Sequence, residues 1–365
     1  MKIVHVIARM NVGGTATYLT NLIQGQIDYG HEVLLLTGSV PSYETEDEAL
    51  QSIPYKRIEG LSRDISPLED ILARRMIFKS IKAIKPDLIH THTFKAGLLV
   101  RTLRTGLPLV HSFHGHHLYD PEFGYFKTKV LNFIERLLAD RTDALISIGT
   151  RVARELMDAR IGEADKFTCI APGLPDFPTH HRDSVRSSLR LRNHDIALMW
   201  LGRFTQVKRP DLVLQAALMR PNIEFCMAGT GELSEEIANS APKNLHLLGY
   251  RNREDLWSAA DIGLCTSDSE GMPLALIEAQ IAGVPVVSRD VGSVSEIIEN
   301  GVTGFLTGDS IEEICLGIDK VIELLQSTET TRSVCKKRAL ELFSVESMVK
   351  KHNNVYERVL EWRKK

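Results

Sequence analysis

Short apolar runs alternate along this chain with longer stretches in which apolar residues recur every three or four positions. In the first half the runs fall at 2–7, 31–36, 88–91, 109–112 and 144–148, and helical stretches at 15–29, 67–84 and 126–139. The rhythm restarts in the second half, with runs at 197–201, 223–228, 245–248, 262–265, 284–287 and 304–306, most of them followed by a helix. Such alternation predicts α/β architecture, parallel sheets with helices on both faces. Between the two series stands Ala171-Pro172-Gly173-Leu174-Pro175-Asp176-Phe177-Pro178, whose prolines and glycine suit neither element. It reads as a linker, 173–180, between two doubly wound, Rossmann-like domains, 1–172 and 181–344. A last helical pattern, 345–365, carries Met348, His352, Val355, Val359 and Trp362 at helical spacing and is expected to pack back on the first domain. Doubly wound domains bind ligands outside the carboxyl ends of their strands, so a central cleft is expected.

Composition narrows the class. The chain has 365 residues, enough for about two domains. Hydrophobic residues make up 43% and charged residues 25%, as in soluble globular proteins. A net charge of -3 argues against a nucleic-acid partner. The five cysteines include no C-x-x-C and fit a reduced, cytoplasmic compartment rather than a disulfide frame. The run at 2–7 lacks the features of a signal peptide, and no apolar run approaches the roughly 20 residues of a membrane span. Membrane contact, if any, is therefore at the surface. Residues 71–110 hold eight basic side chains (Arg74, Arg75, Lys79, Lys82, Lys85, Lys95, Arg101, Arg104) against Asp87 alone. Such a segment suits either an anionic membrane surface or an ordinary solvated helix face.

Polar and glycine-rich segments fall at the strand ends. Ser269-Glu270-Gly271-Met272-Pro273-Leu274 leads into a helix expected over 274–282, with Pro273 fitting its first turn and Glu278 on the second. A loop carboxylate, a bare glycine backbone and free helix N–H groups can hold an anion while carboxylates take hydroxyls, the mixture a sugar nucleotide presents. Gly202-Arg203-Phe204-Thr205-Gln206-Val207-Lys208 places two cations before a helix opened by Pro210. Arg203 can fork onto phosphate oxygens and Lys208 can add a point charge; a solvated pair is the plain alternative. Gly13 and Gly14 follow the first strand, where backbone can approach a ligand or simply turn. Gly229-Thr230-Gly231 invites a dinucleotide reading but lacks the third glycine, so it serves better as a nucleotide-cleft loop. Tyr250 and Arg251 follow another strand end and face a base or form a simple turn. His90, His92, His111, His114, His116 and His117 crowd two strand ends. Without acidic or cysteine ligands at matching spacing, no metal site is expected. His114 beside Gly115 reads as a polar finger for a substrate hydroxyl or phosphate, and most of the others as packed loop histidines.

In this order the segments resemble the retaining glycosyltransferases of family 4, of GT-B fold. The resemblance rests on Glu270-x7-Glu278, on Gly202-Arg203-x4-Lys208, on Gly13-Gly14, on Pro86-Asp87-Leu88-Ile89-His90-Thr91-His92 and on Phe113-His114-Gly115-His116. It implies a hexosyltransferase moving a sugar from a nucleotide sugar, with UDP as the base-bearing half, to a sugar or lipid-linked sugar acceptor in polysaccharide or glycoconjugate synthesis. Arg203 and Lys208 would hold the diphosphate, Glu278 the ribose, Glu270 with the backbone of Gly271, Met272 and Leu274 the donor sugar, and His114 would reach that sugar from the first domain. Gly13 and Gly14 would lie near phosphates or acceptor. The chain departs from the family pattern at Thr15-Ala16 after the two glycines and at Met272-Pro273, where proline removes one N–H donor. The family mechanism implied is same-face attack without metal or cofactor: no D-x-D tripeptide occurs, and the leaving phosphate takes the acceptor proton. A UDP-sugar 2-epimerase of related architecture and a non-catalytic sugar-nucleotide-binding protein are the competing readings.

Overall fold

The computed structural model describes residues 1–115, 124–176 and 182–364, so His116, His117 and 177–180 of the expected linker lie outside the described residues. The chain divides into two compact units, Met1–Leu174 with Val345–Lys365, and Pro175–Ser344. The first carries a seven-stranded sheet of β1 (Lys2–Ile7), β2 (Glu32–Thr37), β3 (Tyr55–Arg57), β4 (Leu88–His92), β5 (Leu109–Phe113), β6 (Ala144–Ser147) and β7 (Phe167–Cys169). Its order is β3-β2-β1-β4-β5-β6-β7, with every pairing parallel. The central strands β4 and β5 are buried along their whole length, which is why they read as apolar runs rather than alternating ones. The edge strands β3 and β7, three residues each, left no run to detect.

Two buried ion pairs knit the helices on this sheet. Lys95 on the helix Thr93–Arg101 reaches Asp70 on the helix Pro67–Ile84 at 2.5 Å. Arg101 reaches Glu135 on the helix Tyr125–Asp140 at 2.7 Å. Both cations are therefore buried, and they leave the basic surface expected over 71–110. The charge they carry is matched inside the layer, as burial demands.

The helix Val345–Trp362 belongs to the first unit and packs on the helix Gly14–Asp28. Gly25 lets the two approach: a Cβ there would stand 2.7 Å from Val349 Cγ2 and 2.8 Å from Val345 Cγ1. Tyr18, Gln26, His352 and Tyr356 are buried at this seam.

The second unit carries β8 (Ile196–Leu201), β9 (Ile223–Ala228), β10 (Leu245–Gly249), β11 (Ile262–Cys265), β12 (Val286–Arg289) and β13 (Gly304–Thr307), ordered β10-β9-β8-β11-β12-β13 and all parallel. β12 starts two residues later than the apolar run suggests. Pro285 has no N–H for the ladder, and Val284 N donates to the preceding helix at Ala279 O, so pairing begins at Val286. The shift makes Arg289 the last strand residue and delivers it to the carboxyl edge. The core centres on Leu198, Phe225, Ile262, Val287 and Ile318.

Gly25→Leu is expected to lower the stability of the first unit by about 1–3 kcal/mol by wedging the two helices apart. Urea unfolding followed by tyrosine fluorescence measures it; an unchanged midpoint would mean the helices do not depend on this approach.

Candidate active site

Past β8 the chain turns through Gly202 and Arg203, makes one tight turn over Gln206–Lys208, and enters the helix Pro210–Met219 with Pro210 at its first position. Arg209, just before that proline, sits in the left-handed region at φ 51, held by Asp211 at 2.8 Å and Asp268 at 3.2 Å. Phe204 anchors the loop, buried edge-on against Trp200, and leaves Arg203 exposed. Among the described residues Arg203 makes no ion pair, although it lies within electrostatic range of Lys208.

The glycines after β9 support this loop. A Cβ on Gly229 (φ 126) would fall 2.0 Å from the Gly202 carbonyl oxygen, and one on Gly231 would fall 2.5 Å from that of Phe204. Phe204 N donates to Thr230 O at 3.1 Å. Gly229 thus serves close backbone packing against the Gly202 loop. Gly229 N donates in turn to Gly249 O, after which Tyr250, 66% exposed, and Arg251 stand at the surface.

At the end of β11 the second half of the site appears. Lys208 Nζ meets Glu270 Oε1 at 2.5 Å, and Ser267 Oγ donates to the same oxygen at 2.6 Å. Cys265 Sγ lies 3.8 Å from it. Burial is the largest influence on Lys208 and works against its charge. The attraction of Glu270, aided by their hydrogen bond, outweighs it and holds the ammonium above the ordinary lysine range. Burial, then Glu270, push the Cys265 thiol up, so it stays protonated. The Thr266 hydroxyl bridges to the carbonyls of Lys208 at 2.8 Å and Arg209 at 3.0 Å and accepts from Trp200 Nε1 at 3.1 Å. Two loops are thereby tied at one point.

Arg289 donates to the carbonyls of Thr266 and Ser267 at 3.1 Å and pairs with Asp268 and Asp309. Gly292 (φ 52) backs the Glu270 turn, where a Cβ would stand 1.9 Å from Glu270 O, and Ser293 N donates to Gly271 O at 2.8 Å. Met272 and Leu274 are buried, and Pro273 is the N-cap of the helix Leu274–Ile281 rather than part of its first turn. Among the described residues the N–H groups of Gly271, Met272 and Leu274 find no acceptor, the state of a helix start that can receive an anion or hydroxyl.

Glu278 lies deep in the second unit. It is 1% exposed, and its two oxygens accept from Arg253 Nη1 at 2.8 Å and Trp257 Nε1 at 3.2 Å. It is therefore already partnered, and a ribose hydroxyl reaching it shares Oε1 with Arg253 or displaces that guanidinium.

The first unit holds Gly13, Gly14 and His114. Gly13 (φ 155) caps the helix that Gly14 starts, and a Cβ on it would meet nothing closer than 4.0 Å, so the glycine leaves open space there. His114 is half-buried at the end of β5, with Tyr18 packed edge-on at 4.6 Å. Its Nε2 turns inward to His92 Nδ1 at 3.1 Å, so by that nitrogen it is not an outward finger. His92 Nε2 meets His5 Nδ1 at 2.9 Å, and His5 Nε2 meets Gln26 Oε1 at 2.8 Å. His5, His90 and His92 bring nitrogens within 4.8 Å of one another, close enough to hold a metal ion. Yet both nitrogens of each ring already have partners, with Tyr356 and Ser112 serving His90, and no carboxylate joins them. Burial drives His5 and His114 down to about 3 and His352 to about 4, and sets His90 and His92 well below the ordinary imidazole value.

Two family models cover this architecture, Glycosyltransferase Family 4 over 12–176 and Glycosyl transferases group 1 over 181–341. The chain belongs to the family 4 glycosyltransferases. This transferase is 26% identical to the UDP-Gal:alpha-D-GlcNAc-diphosphoundecaprenol alpha-1,3-galactosyltransferase of Escherichia coli, over 82% of each chain. It is also 26% identical to a 41.2 kDa protein in the cps region of Klebsiella pneumoniae, over 98% of this chain and 99% of the relative. Its fold matches HepE of Anabaena, solved with UDP and glucose, at a TM-score of 0.83 and 21% identity over 98% and 100% of the two chains. It is thus a GT-B transferase acting on glycosyl groups. No described helix is long and apolar enough to cross a membrane.

The sequence of the transferase gave no sign of Thr266, Ser267, Arg289, Arg253 or Trp257 as partners of the motif residues. Only Gly292, in Asp290-Val291-Gly292-Ser293 after a strand, carried a readable turn signal.

Two outcomes are expected. Gly292→Ala should displace the Glu270 turn and cut kcat at least about tenfold with the fold retained by circular dichroism; full activity would show the turn tolerates a side chain. Acid should weaken the first unit. His5 and His352 titrate near 3 and 4 when folded but near 6.5 when unfolded, so the unfolded chain takes up protons first. Stability is then full above pH 6.5 and falls below it, by about 1.4 kcal/mol per histidine per pH unit. Urea melts at pH 7.5 and 5 should show the loss, and equal midpoints would contradict it.

Proposed function

We propose that the protein is a retaining, metal-independent transferase that moves a hexosyl group from a UDP-sugar to a carbohydrate or lipid-linked carbohydrate acceptor. The observation that carries this is the Lys208–Glu270 pair beside exposed Arg203, with the open N–H groups of Gly271, Met272 and Leu274 around it. Cleaving the anomeric C–O bond puts negative charge on the departing phosphate. In this reading Arg203 and Lys208 are the cations that meet that charge and lower the barrier electrostatically. Glu270, held by Lys208 and Ser267, accepts hydroxyls of the transferred sugar, and Glu278 serves the ribose once Arg253 gives way. The leaving phosphate takes the proton of the acceptor hydroxyl on the same face. Support for UDP comes from HepE, a neighbour of this fold solved with UDP-glucose, and support for a lipid-linked acceptor from the Escherichia coli relative that acts on a diphosphoundecaprenol-linked sugar.

A cytoplasmic location at the inner membrane face follows from the same reading. Arg74, Arg75, Lys79 and Lys82 are exposed on the helix Pro67–Ile84, whose first turns also expose Leu68 (83%) and Ile71 (51%). Basic side chains beside bare apolar ones suit an anionic bilayer surface. No epimerase or sensor reading has comparable support.

The test is turnover of a UDP-sugar panel with sugar and lipid-diphosphate-sugar acceptors, in EDTA, with the product anomer read by proton NMR. Retained configuration is expected; an inverted product, or dependence on added metal, would overturn the mechanism. Lys208→Met should cost at least about 100-fold in kcat. Glu278→Gln should raise the donor Kd about tenfold, whereas Glu270→Gln should mainly lower kcat; equal effects from both would refute the division of roles. Sedimentation with anionic vesicles should drop on Arg75→Glu with Lys79→Glu, and binding indifferent to lipid charge would remove the membrane surface.

A further inference from the structure

The first unit holds a cavity at the amino edge of its sheet, the edge opposite the glycines and motif residues. It lies where the helix Pro67–Ile84 ends and where β4 and β5 are about to begin. Its volume is about 410 Å³, within the roughly 300–1,000 Å³ of small-molecule sites. Phe78, Ile81, Pro86 and Leu107 give it an apolar floor. Lys82, Lys85 and Arg104 give it a basic rim, and no carboxylate lines it. The Lys82 ammonium sits 4.5 Å from the centre of the Phe78 ring, and among the described residues none of the three cations pairs with an acid. Asp87, next in sequence, accepts instead from Lys2 N at 2.7 Å. Lys95 and Arg101 of the same segment are buried and matched; these three are exposed and unmatched.

The walls are fixed from several sides. Arg74 Nη2 donates to Thr102 O at 2.9 Å and Arg363 Nη1 to Gly106 O at 3.0 Å, so the loop that carries Arg104 is held at both ends. Lys85 caps the helix in the left-handed region at φ 52, where its N–H donates to Ile81 O at 2.9 Å. Glycine takes that conformation freely and lysine does not; the side chain kept there lines the cavity. Unmatched cations over an apolar floor draw a ligand that is anionic at one end and apolar at the other. β4 and β5 are five residues each, which puts the cavity about 15 Å from their carboxyl ends. Its occupant is therefore neither the sugar donor nor the hydroxyl that attacks it.

We propose that this cavity binds the phosphate head of one anionic phospholipid, with Lys82, Lys85 and Arg104 on the phosphate and the first acyl carbons on Phe78, Ile81 and Leu107. Arg75, Lys79 and Lys82 follow one another at i, i+4 and i+7, so the rim continues the basic face of the helix Pro67–Ile84. The site rests on the membrane reading only for where the lipid is met. It turns attraction to charge in general into recognition of one head group.

The test is calorimetric titration of the full chain, without sugar nucleotide, with four soluble ligands: dihexanoyl-phosphatidic acid below its micelle concentration, glycerol 3-phosphate, inorganic phosphate and dihexanoyl-phosphatidylcholine. The acidic lipid should bind at least about tenfold more tightly than any of the other three. Lys85→Asn with Arg104→Gln should weaken that lipid at least about tenfold, asparagine being tolerated at the left-handed cap. Circular dichroism checks the fold; should the pair not fold, Arg104→Gln alone should weaken the lipid, and Arg104→Lys should retain it. Inorganic phosphate bound as tightly as the lipid would make this a free-phosphate site and overturn the proposal. So would lipid binding that these substitutions leave unchanged. Anionic vesicles form a separate arm. Soluble-lipid binding without sedimentation would refute the membrane surface and keep the cavity, whereas sedimentation without soluble-lipid binding would do the reverse.

Discussion

The contact between Lys208 and Glu270 sets the terms for the rest of the second unit. Two opposite charges are half-withdrawn from water at the ends of β8 and β11. Such a pair is worth keeping only where its geometry is fixed and its remaining bonding capacity is met. The surroundings do this with ordinary materials. Ser267 takes a second position on the shared oxygen, Thr266 ties the lysine loop to the glutamate strand, and Arg289 gathers the carbonyls behind both. Gly292 spares the Glu270 turn a Cβ that would meet its carbonyl oxygen. The result is a cation that stays charged although burial opposes it, which a site receiving a phosphate requires.

The first unit solves the opposite problem. Apart from the Lys95–Asp70 and Arg101–Glu135 pairs, its polar interior is built from neutral groups. Histidines, tyrosines, a glutamine and a serine are buried together, and burial keeps the histidines neutral while they hydrogen-bond to one another and to their neighbours. A charge-based site gains strength from low dielectric, and so does a hydrogen-bonded neutral network. The polar interiors of the two units thus differ in kind, one built around charge and the other around neutral hydrogen bonds.

Much of this was legible in the sequence, and the reasons divide cleanly. Buried parallel strands are continuous apolar runs, so β1, β9 and β11 were read at their observed ends. β12 was misplaced because apolarity does not register a missing N–H: Pro285 accepts from Gly263 but has nothing to donate, so paired residues start at Val286. Motif residues were visible because glycines and charges at strand ends are few. Their partners were not, since Ser267, Arg253 and Trp257 are unremarkable by type and gain their roles from positions that only folding brings together. The clearest failures concern burial. Lys95 and Arg101 looked like surface charge and are buried in ion pairs. Sequence gives charge but not its depth. The family resemblance supplied roles for these residues, and the structure supplied the neighbours that constrain them.

The helix Val345–Trp362 has a consequence in time as well as in space. It completes the first unit, yet the whole of the second unit is encoded before it. As the chain leaves the ribosome, His5, Gln26, His90 and His92 are in place long before His352 and Tyr356 exist. Until those arrive, His90 Nδ1, Gln26 Nε2 and the Tyr18 hydroxyl lack the partners that the last helix gives them. The first unit is thus completed only by a segment encoded after the second.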